Sequence, residues 1–376
     1  MTTAGVLKTA PSGAAFTTPY DLPGGVKWGG VGALFVFLTV FPLLFSNPTV
    51  TSIGVFTMMF LIAVVGWNIF SGFTGYISIG HAAFYGIGQY TAAEIAIHLQ
   101  MAGGWDLFTL LPVAGIVCAL FAIPIGWVLL RVRKHTFIVL TIAIMFIGQL
   151  LAFNWQGFTN GAQGLQVPIP TWQGVQFNQI FYYVAWGCAV IAIITSVFVR
   201  RSRYGLTLLA IRDDEERARG LGIHTKSAKL TAFMISGFFV GVAGAIYAPF
   251  LGSVFPQFAF DPNYDLALAV LAFTGGLGTI SGPILGCLIL EPVQQYFLLQ
   301  FGGANDFLIV YGVLFILILR FLPEGVVPTI AGRWRSWVSR NRISAEPPTA
   351  AAGAGGDGVR AADKPQVVVI ERGSTK

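Results

Sequence analysis

Gly72-Phe-Thr-Gly75-Tyr-Ile-Ser78-Ile-Gly80-His81-Ala-Ala-Phe-Tyr85-Gly86-Ile-Gly88-Gln-Tyr90 lies between two apolar runs. It is too rich in glycine for an ordinary lipid-facing helix. It carries Ser78, His81 and Gln89, with Glu94 four residues beyond, in surroundings that otherwise read as membrane. Hydrocarbon tolerates irregular backbone and polar side chains only where protein or a water-filled cavity receives them. The stretch therefore predicts a chain built to hold a broken helix beside a path through the bilayer.

The rest of the sequence agrees. Of 376 residues, 55% are hydrophobic and 10% charged, against roughly 25% charged in a soluble domain. Mean hydropathy is +0.74. Charges are segregated: Glu94 and Asp106 are the two between Trp28 and Leu130, and none falls between Thr136 and Val199. This is the pattern of a polytopic, all-α membrane protein. The net charge of +6 follows from Lys and Arg in loops and tail, so it signals topology and no nucleic acid. Cys118, Cys188 and Cys287 lie in apolar runs without metal-ligand spacing. Residues 1–27 lack the apolar core of a cleaved signal peptide.

Read outward in both directions, the spans fall at Trp28–Phe45, Val50–Phe70, Tyr76–Leu99, Leu107–Leu130, Thr136–Trp155, Ile180–Val199 and Leu230–Phe250. Arg131, Arg133 and Lys134 mark one cytoplasmic end, and Arg200, Arg201 and Arg203 another. The uncharged loop Gln156–Asn178 then reads as external. Parity requires an odd number of crossings between Phe250 and Arg320. The runs Asp265–Thr274, Pro283–Leu299 and Asp306–Leu319 supply three. Ten helical residues rise about 15 Å, half a bilayer, so Asp265–Thr274 is expected as a half-helix ending at Gly275-Gly276-Leu-Gly278. The expected architecture is about ten membrane segments with both termini cytoplasmic. Fusing the half-helix to Pro283–Leu299 would give eight. Gly75-Tyr-Ile-Ser78 and Gly278-Thr-Ile-Ser281 share G-x-I-S, and paired glycine breaks are the pattern of transporter repeats. The expected domains are an N-terminal cytoplasmic segment 1–27, a transmembrane domain 28–330 with a charged internal segment 200–229, and a disordered cytoplasmic tail 331–376 rich in Ala, Gly, Pro and charge.

The internal segment is amphipathic. Asp213 or Asp214 can cap a helix with an acidic first turn, Arg217 and Arg219 fall near its end, and Gly220 and Gly222 stop it. In so uncharged a protein this predicts a docking surface rather than a solvated loop. His81 reads either as a path residue or as a helix-packing residue. Glu94 reads as an exposed carboxylate near the outer end of its span. Gln149 and Asn154 either glue helices or line a pore. Asp265 is explained as a charge at the start of its own helix. No P-loop, voltage-sensor arginine ladder, channel filter, metal cluster or hydrolase motif is present.

These residues resemble a known family. Gly72–Tyr90 is similar to the G-x-x-G-x-x-S-x-G-H-A-A-F-x-G-I-G-A-Y signature of LivM-type permeases from bacterial ABC transporters for branched-chain amino acids, with Gln89 in place of Ala. Thr159-Asn-Gly161-Ala-Gln-Gly164-Leu resembles the family's external loop. Arg212-Asp-Asp-Glu-Glu-Arg-Ala218-Arg-Gly-Leu-Gly222-Ile resembles its internal loop. Gly275-Gly-Leu-Gly-Thr-Ile-Ser-Gly-Pro283-Ile-Leu-Gly286 is similar to its second glycine motif, and Leu322-Pro-Glu-Gly325 to its terminal R-P-Q-G. Family members often have Gly-Glu where this chain has Gly148-Gln149.

The resemblance implies a multi-pass permease of the bacterial inner membrane, without enzymatic activity or cofactor of its own. Its implied partners are a second related permease, two cytoplasmic ATPases that bind the ATP, an external solute-binding protein and membrane lipid. Arg212, Asp213, Asp214, Glu215, Ala218 and Gly222 would couple to the ATPases. Gly72, Gly75, Gly80, Gly275, Gly276 and Gly278 would gate. Ser78, His81, Tyr85, Gln149 and Asn154 would line the solute path. The resemblance implies branched-chain amino acids as the solute, with urea or short amides as the alternative within the same family. An ion-coupled carrier or channel would need paired intramembrane carboxylates, which Glu94 alone does not provide. A non-transporting scaffold would leave the glycine breaks unexplained.

Overall fold

The computed structural model describes residues 24–300 apart from 46, 102, 133 and 173, together with 312, 313 and 320. Nearly all of the expected span Asp306–Leu319, the expected tail 331–376 and most of the N-terminal segment 1–27 lie outside the described residues. The chain runs α1 (Gly24–Leu44), α2 (Pro48–Trp67), a π-helical turn Asn68–Gly72, α3 (Ala82–His98), a 3-10 turn Trp105–Thr109, α4 (Leu110–Leu129) and α5 (Lys134–Asn154). It continues through α6 (Gln156–Thr159), a 3-10 turn Gly161–Gln163, β1 (Leu165–Gln166), α7 (Val175–Arg201), α8 (Arg203–Asp213) and α9 (Glu215–Gly220). Last come α10 (Thr225–Leu251), β2 (Ser253–Val254), α11 (Pro256–Ala259), α12 (Pro262–Gly275) and α13 (Ser281–Gln300). Among the described residues, 6 helical stretches are long and apolar enough to cross a membrane.

Helix starts follow local chemistry. Asn47 Oδ1 accepts from the Thr49 N–H, with Pro48 opening α2. Asp261 accepts from Asn263 N–H, with Pro262 opening α12. Both pairings satisfy a free N–H and place proline where its missing donor costs nothing.

Helices α2 and α10 form the centre. α10 packs against α2, α3 and α4, and small residues let it come close. A Cβ on Gly241 would meet Cys118 Sγ at 2.3 Å, and one on Gly244 would meet the Tyr85 carbonyl at 2.1 Å. Small residues at such crossings let backbones approach in a bilayer. The outward faces of α4 and α5 carry Ile116, Leu120, Phe121, Ile147, Leu150 and Leu151, all exposed, a surface suited to lipid. β1 and β2 pair antiparallel, Leu165 opposite Val254, and so tie the uncharged loop to the end of α10.

Two expectations need correction. The third span does not begin at Tyr76: backbone from Gly75 to Gly80 is non-helical, and α3 starts at Ala82. Glu94 is not exposed. It is only 7% exposed, with Oε2 3.1 Å from His98 Nε2 one turn on. The half-helix is distinct: α12 has 14 residues and is separated from α13 by Gly276–Ile280.

Candidate functional site

The two glycine breaks meet in space. Asn68, fully buried at the π turn, reads the backbone of the second break on both sides. Its Nδ2 donates to the Thr279 carbonyl at 2.9 Å, and its Oδ1 accepts from the Gly278 N–H at 2.9 Å. The first break is braced likewise. Trp67 Nε1 donates to the Ser78 carbonyl at 2.9 Å, the Ser78 N–H donates to Ser71 Oγ at 3.3 Å, and the Ile79 N–H donates to Thr141 Oγ1 at 3.1 Å. Side chains thus supply the partners that a helix would have supplied.

Glycine is required where these segments touch. A Cβ on Gly72 would lie 2.0 Å from Asn68 Oδ1 and 3.0 Å from the Gly278 nitrogen. One on Gly80 would meet the Thr141 carbonyl at 2.3 Å, and one on Gly275 the Gly282 carbonyl at 1.7 Å. Gly276 has φ +118°, Gly75 +71° and Gly278 +76°, all in the region closed to most side chains.

The charged segment inserts between the breaks. Arg212, at the end of α8, donates from its guanidinium to the Gly72 carbonyl at 2.9 Å. The same guanidinium fills the space a Cβ on Gly278 would occupy, and the Arg212 stem packs over Gly75. Lys134 Nζ at the start of α5 donates to the Arg212 carbonyl at 3.1 Å. One arginine therefore touches both breaks.

Glu215 is the second anchor. Oε1 accepts from Lys229 Nζ at 2.8 Å, from Arg219 at 2.5 Å and from Thr225 Oγ1 at 3.1 Å. Oε2 accepts from the Tyr76 hydroxyl. Lys229 Nζ also sits 4.2 Å from the centre of the Tyr76 ring. Burial alone would raise the Glu215 pKa. The hydrogen bonds from Lys229, Tyr76 and Arg219 outweigh it and hold the carboxyl at about 2. The segment is thus joined to α10 and to the non-helical stretch before α3.

The other residues of the segment divide. Asp214 caps α9, accepting from the N–H groups of Glu216 and Arg217, and pairs with the Arg217 side chain at 3.0 Å. Ala218 is buried, and the Ile223 N–H donates to its carbonyl at 3.1 Å around Gly222, which has φ +84°. Asp213 is exposed. Leu206 and Leu221 are exposed at 64% and 81%, apolar groups on the surface of an otherwise charged segment.

The five path candidates do not form one lining. His81 is fully buried, with Nδ1 2.9 Å from Ser78 Oγ and Nε2 2.7 Å from Ser236 Oγ. Its ring lies among Phe70, Phe84 and Phe233. Tyr85 stacks on Tyr264 at 4.0 Å. Gln149 Nε2 donates across to the Phe260 carbonyl at 3.2 Å. Asn154 is exposed and closes on its own helix, donating to the Leu150 carbonyl at 2.7 Å.

Sequence reasoning missed four residues. Asp265 sits in the first turn of α12, where a charge at the start of its own helix is expected, and its second role went unread: both carboxylate oxygens accept from the Ala82 N–H at 3.1 Å, capping the first turn of α3 from α12. Glu291 is a second fully buried carboxylate, in α13. A charge inside an apolar run was the signal for it. Asn68 was equally visible as an amide in such a run. Lys229 was not, because only the folded chain brings it to Glu215. Among the described residues, no three His, Cys, Asp or Glu side chains group in a way that could hold a metal.

A family model described as branched-chain amino acid transport system / permease component matches residues 49–319. The chain is 31% identical over 327 residues, 79% of its length, to the high-affinity branched-chain amino acid transport system permease protein LivM of Escherichia coli (strain K12), covering 74% of that protein. It is 27% identical over 291 residues to the LivH permease of the same system and organism, 71% of this chain and 91% of the relative. It is 26% identical over 343 residues to the L-arabinose ABC transporter permease protein AraH of Azospirillum brasilense, 83% of this chain and 94% of the relative. No solved structure matches the chain.

Proposed function

The chain belongs to the family of branched-chain amino acid transport permease components, and from that premise we propose that it is one permease subunit of an ATP-driven importer of branched-chain amino acids in the bacterial inner membrane. A second permease of the same family is its companion, as LivM and LivH are named for one system. Two ATPases dock on the cytoplasmic side against α8 and α9, with Leu206 and Leu221 as apolar contacts. A solute-binding protein delivers the solute from outside.

The observation that carries this reading is Arg212, a residue of the soluble segment that touches both glycine breaks. Closure of the ATPases pulls α8 and α9. Arg212 and the Glu215 cluster pass the displacement to Gly72–Gly80 and Gly275–Gly278. Those breaks separate helices that would otherwise be continuous, so they are where access can switch from one side to the other. His81, sealed between two serines, acts in this reading as the pin that holds α3 to α10. Tyr85, further along α3, is buried against Tyr264 of α12.

An ion-coupled carrier is the competing class, and Asp265 and Glu291 supply the buried carboxylates it would require. Asp265, however, is committed to capping α3, and the family is one of ABC permeases.

The test is purification from native membrane followed by reconstitution. ATPase chains should co-purify and be lost in Arg212→Glu/Glu215→Arg. ATP-driven uptake of L-leucine, with urea as the comparison solute, should be seen in the complex. Proton- or sodium-driven uptake by this chain alone would refute the proposal.

A further inference from the structure

Three buried oxygens, two at the middle of α13 and one near the start of α12, have no partner among the described residues: Oε2 of Glu291, Oε1 of Gln294 and the hydroxyl of Tyr264. Glu291 is wholly buried, and its other oxygen accepts from Gln295 Nε2 at 2.7 Å. Glu291 and Gln294 are three residues apart on one helix and so lie on neighbouring faces. The α12–α13 hairpin brings Tyr264 to them. Gly275 abuts Gly282, and Gly286 abuts Leu271. Continued toward the start of α12, that antiparallel register sets Tyr264 level with residues 291–294. Around this group the walls are apolar: Tyr85 stacks on Tyr264, and the Phe60 ring lies 5.0 Å from it.

Buried acceptors without donors are costly, and a carboxylate in a bilayer interior most of all. The chemistry of the three oxygens is specific. Carboxylate and amide oxygens only accept, and a phenol hydroxyl accepts as well as donates. The complement is a positively charged group with several N–H bonds. A neutral amide offers N–H bonds but no charge to match Glu291.

We propose that Glu291, Gln294 and Tyr264 form a binding site for the primary ammonium of the transported amino acid, with the Tyr85–Tyr264 stack and Phe60 against its aliphatic chain. The proposal rests on reading the chain as an amino-acid importer subunit. Two other buried side-chain atoms lack a partner among the described residues, Gln89 Nε2 and the Tyr90 hydroxyl, both on α3 and neither of them a carboxylate; of the other buried polar groups, Asp265 caps α3, Asn68 bridges the breaks and His81 is held by two serines.

The experiment uses the purified full transporter. A membrane-permeant carbodiimide labels buried carboxyl groups, and peptide mass spectrometry reads modification of Glu291. L-Leucine should slow that labelling roughly tenfold, a change read as occupancy. Urea and 4-methylpentanoate, the leucine skeleton without its amine, should leave it unchanged. In proteoliposomes, Glu291→Gln should lower leucine uptake roughly tenfold and Tyr264→Phe about threefold. Glu291→Asp should retain more uptake than Glu291→Gln, with co-purification of the partner chains intact. Equal protection by 4-methylpentanoate, protection by sodium ion alone, or full uptake by Glu291→Gln would overturn the proposal. Should Glu291→Gln fail to assemble, the protection assay on wild-type protein decides alone. If wild type imports no leucine while isoamylamine still protects Glu291, the importer reading fails and the ammonium site stands.

Discussion

Arg212 reaches back 140 residues to donate to the Gly72 carbonyl at 2.9 Å. The bond joins a charged helix outside the apolar spans to a break within them. Removing it should uncouple the two. Arg212→Ala is expected to cut solute uptake roughly tenfold, about 1.4 kcal/mol, while ATP hydrolysis by the assembled complex continues. Arg212→Lys should not rescue, because a compact ammonium cannot both bond the Gly72 carbonyl and fill the space beside Gly278. The ratio of ATP hydrolysed to solute moved is the measurement, and an unchanged ratio would count against the coupling.

Glu215 and Lys229 form a pair with side-chain exposures of 11% and 1%. Breaking one half leaves the other charge buried. Glu215→Gln should lower stability by about 3–5 kcal/mol, the usual cost of orphaning a buried ion. Lys229→Met added to it should recover most of that loss, since two apolar or neutral groups need no partner. Thermal unfolding in detergent with intact partner chains would test this. A double variant no better than the single one would show that the Tyr76 and Arg219 bonds, rather than the ion pair, dominate.

The same carboxyl predicts an acid transition. Its folded pKa is lowered from 4.5 to about 2. A depressed folded value means that Glu215 contributes stability above the unfolded pKa and loses it as pH falls from 4.5 toward 2. Wild-type stability should therefore drop across that window. The drop should be smaller in Glu215→Gln, which has no proton to take up at this position. Melting temperatures recorded from pH 6 down to roughly pH 2.5 would resolve the two curves.

His81 tests packing against path. Both ring nitrogens are held by serine hydroxyls in a fully buried site. His81→Ala would orphan Ser78 and Ser236 and open a cavity among three phenylalanines, for a combined loss of about 2–4 kcal/mol. The expected outcome is reduced recovery of assembled transporter, with normal uptake per assembled unit. Normal recovery with reduced uptake would place His81 on the solute path instead.

Much of this was readable from one strand of text. The glycine clusters announced both breaks, because a bilayer admits such composition only where helices stop or touch. The repeat of G-x-I-S hinted that the breaks correspond, and Asn68 joins them. The acidic-then-basic order of residues 213–219 announced α9, and Asp214 caps it. What the text hid is long-range pairing. Asp265 reads as a charge at the start of its own helix and does lie in its first turn, yet nothing local shows that its carboxylate also caps α3. Glu94 looked exposed because its position near a span end says nothing about the face it occupies. Arg212 had a recognisable motif, but nothing local shows that its guanidinium ends between Gly72 and Gly278.

That convergence gives the sharpest substitution. Gly278 has φ +76°, and a Cβ there would lie 1.9 Å from the Arg212 guanidinium and 2.7 Å from the Gly72 carbonyl. Gly278→Ala is strained by its backbone angle and blocked by both neighbours. The backbone term alone is about 1–2 kcal/mol, and relief requires Arg212 to withdraw from the break. The variant should resemble Arg212→Ala: assembled complex, continued ATP hydrolysis and uptake down roughly tenfold. Gly187→Ala is the control. It lies on α7 with nothing within 4 Å of its added methyl, and alanine is the better helix former, so stability and uptake should hold. If Gly278→Ala transports normally, the second break does not need Arg212 in place to switch, and coupling must run through Glu215 and Tyr76 alone.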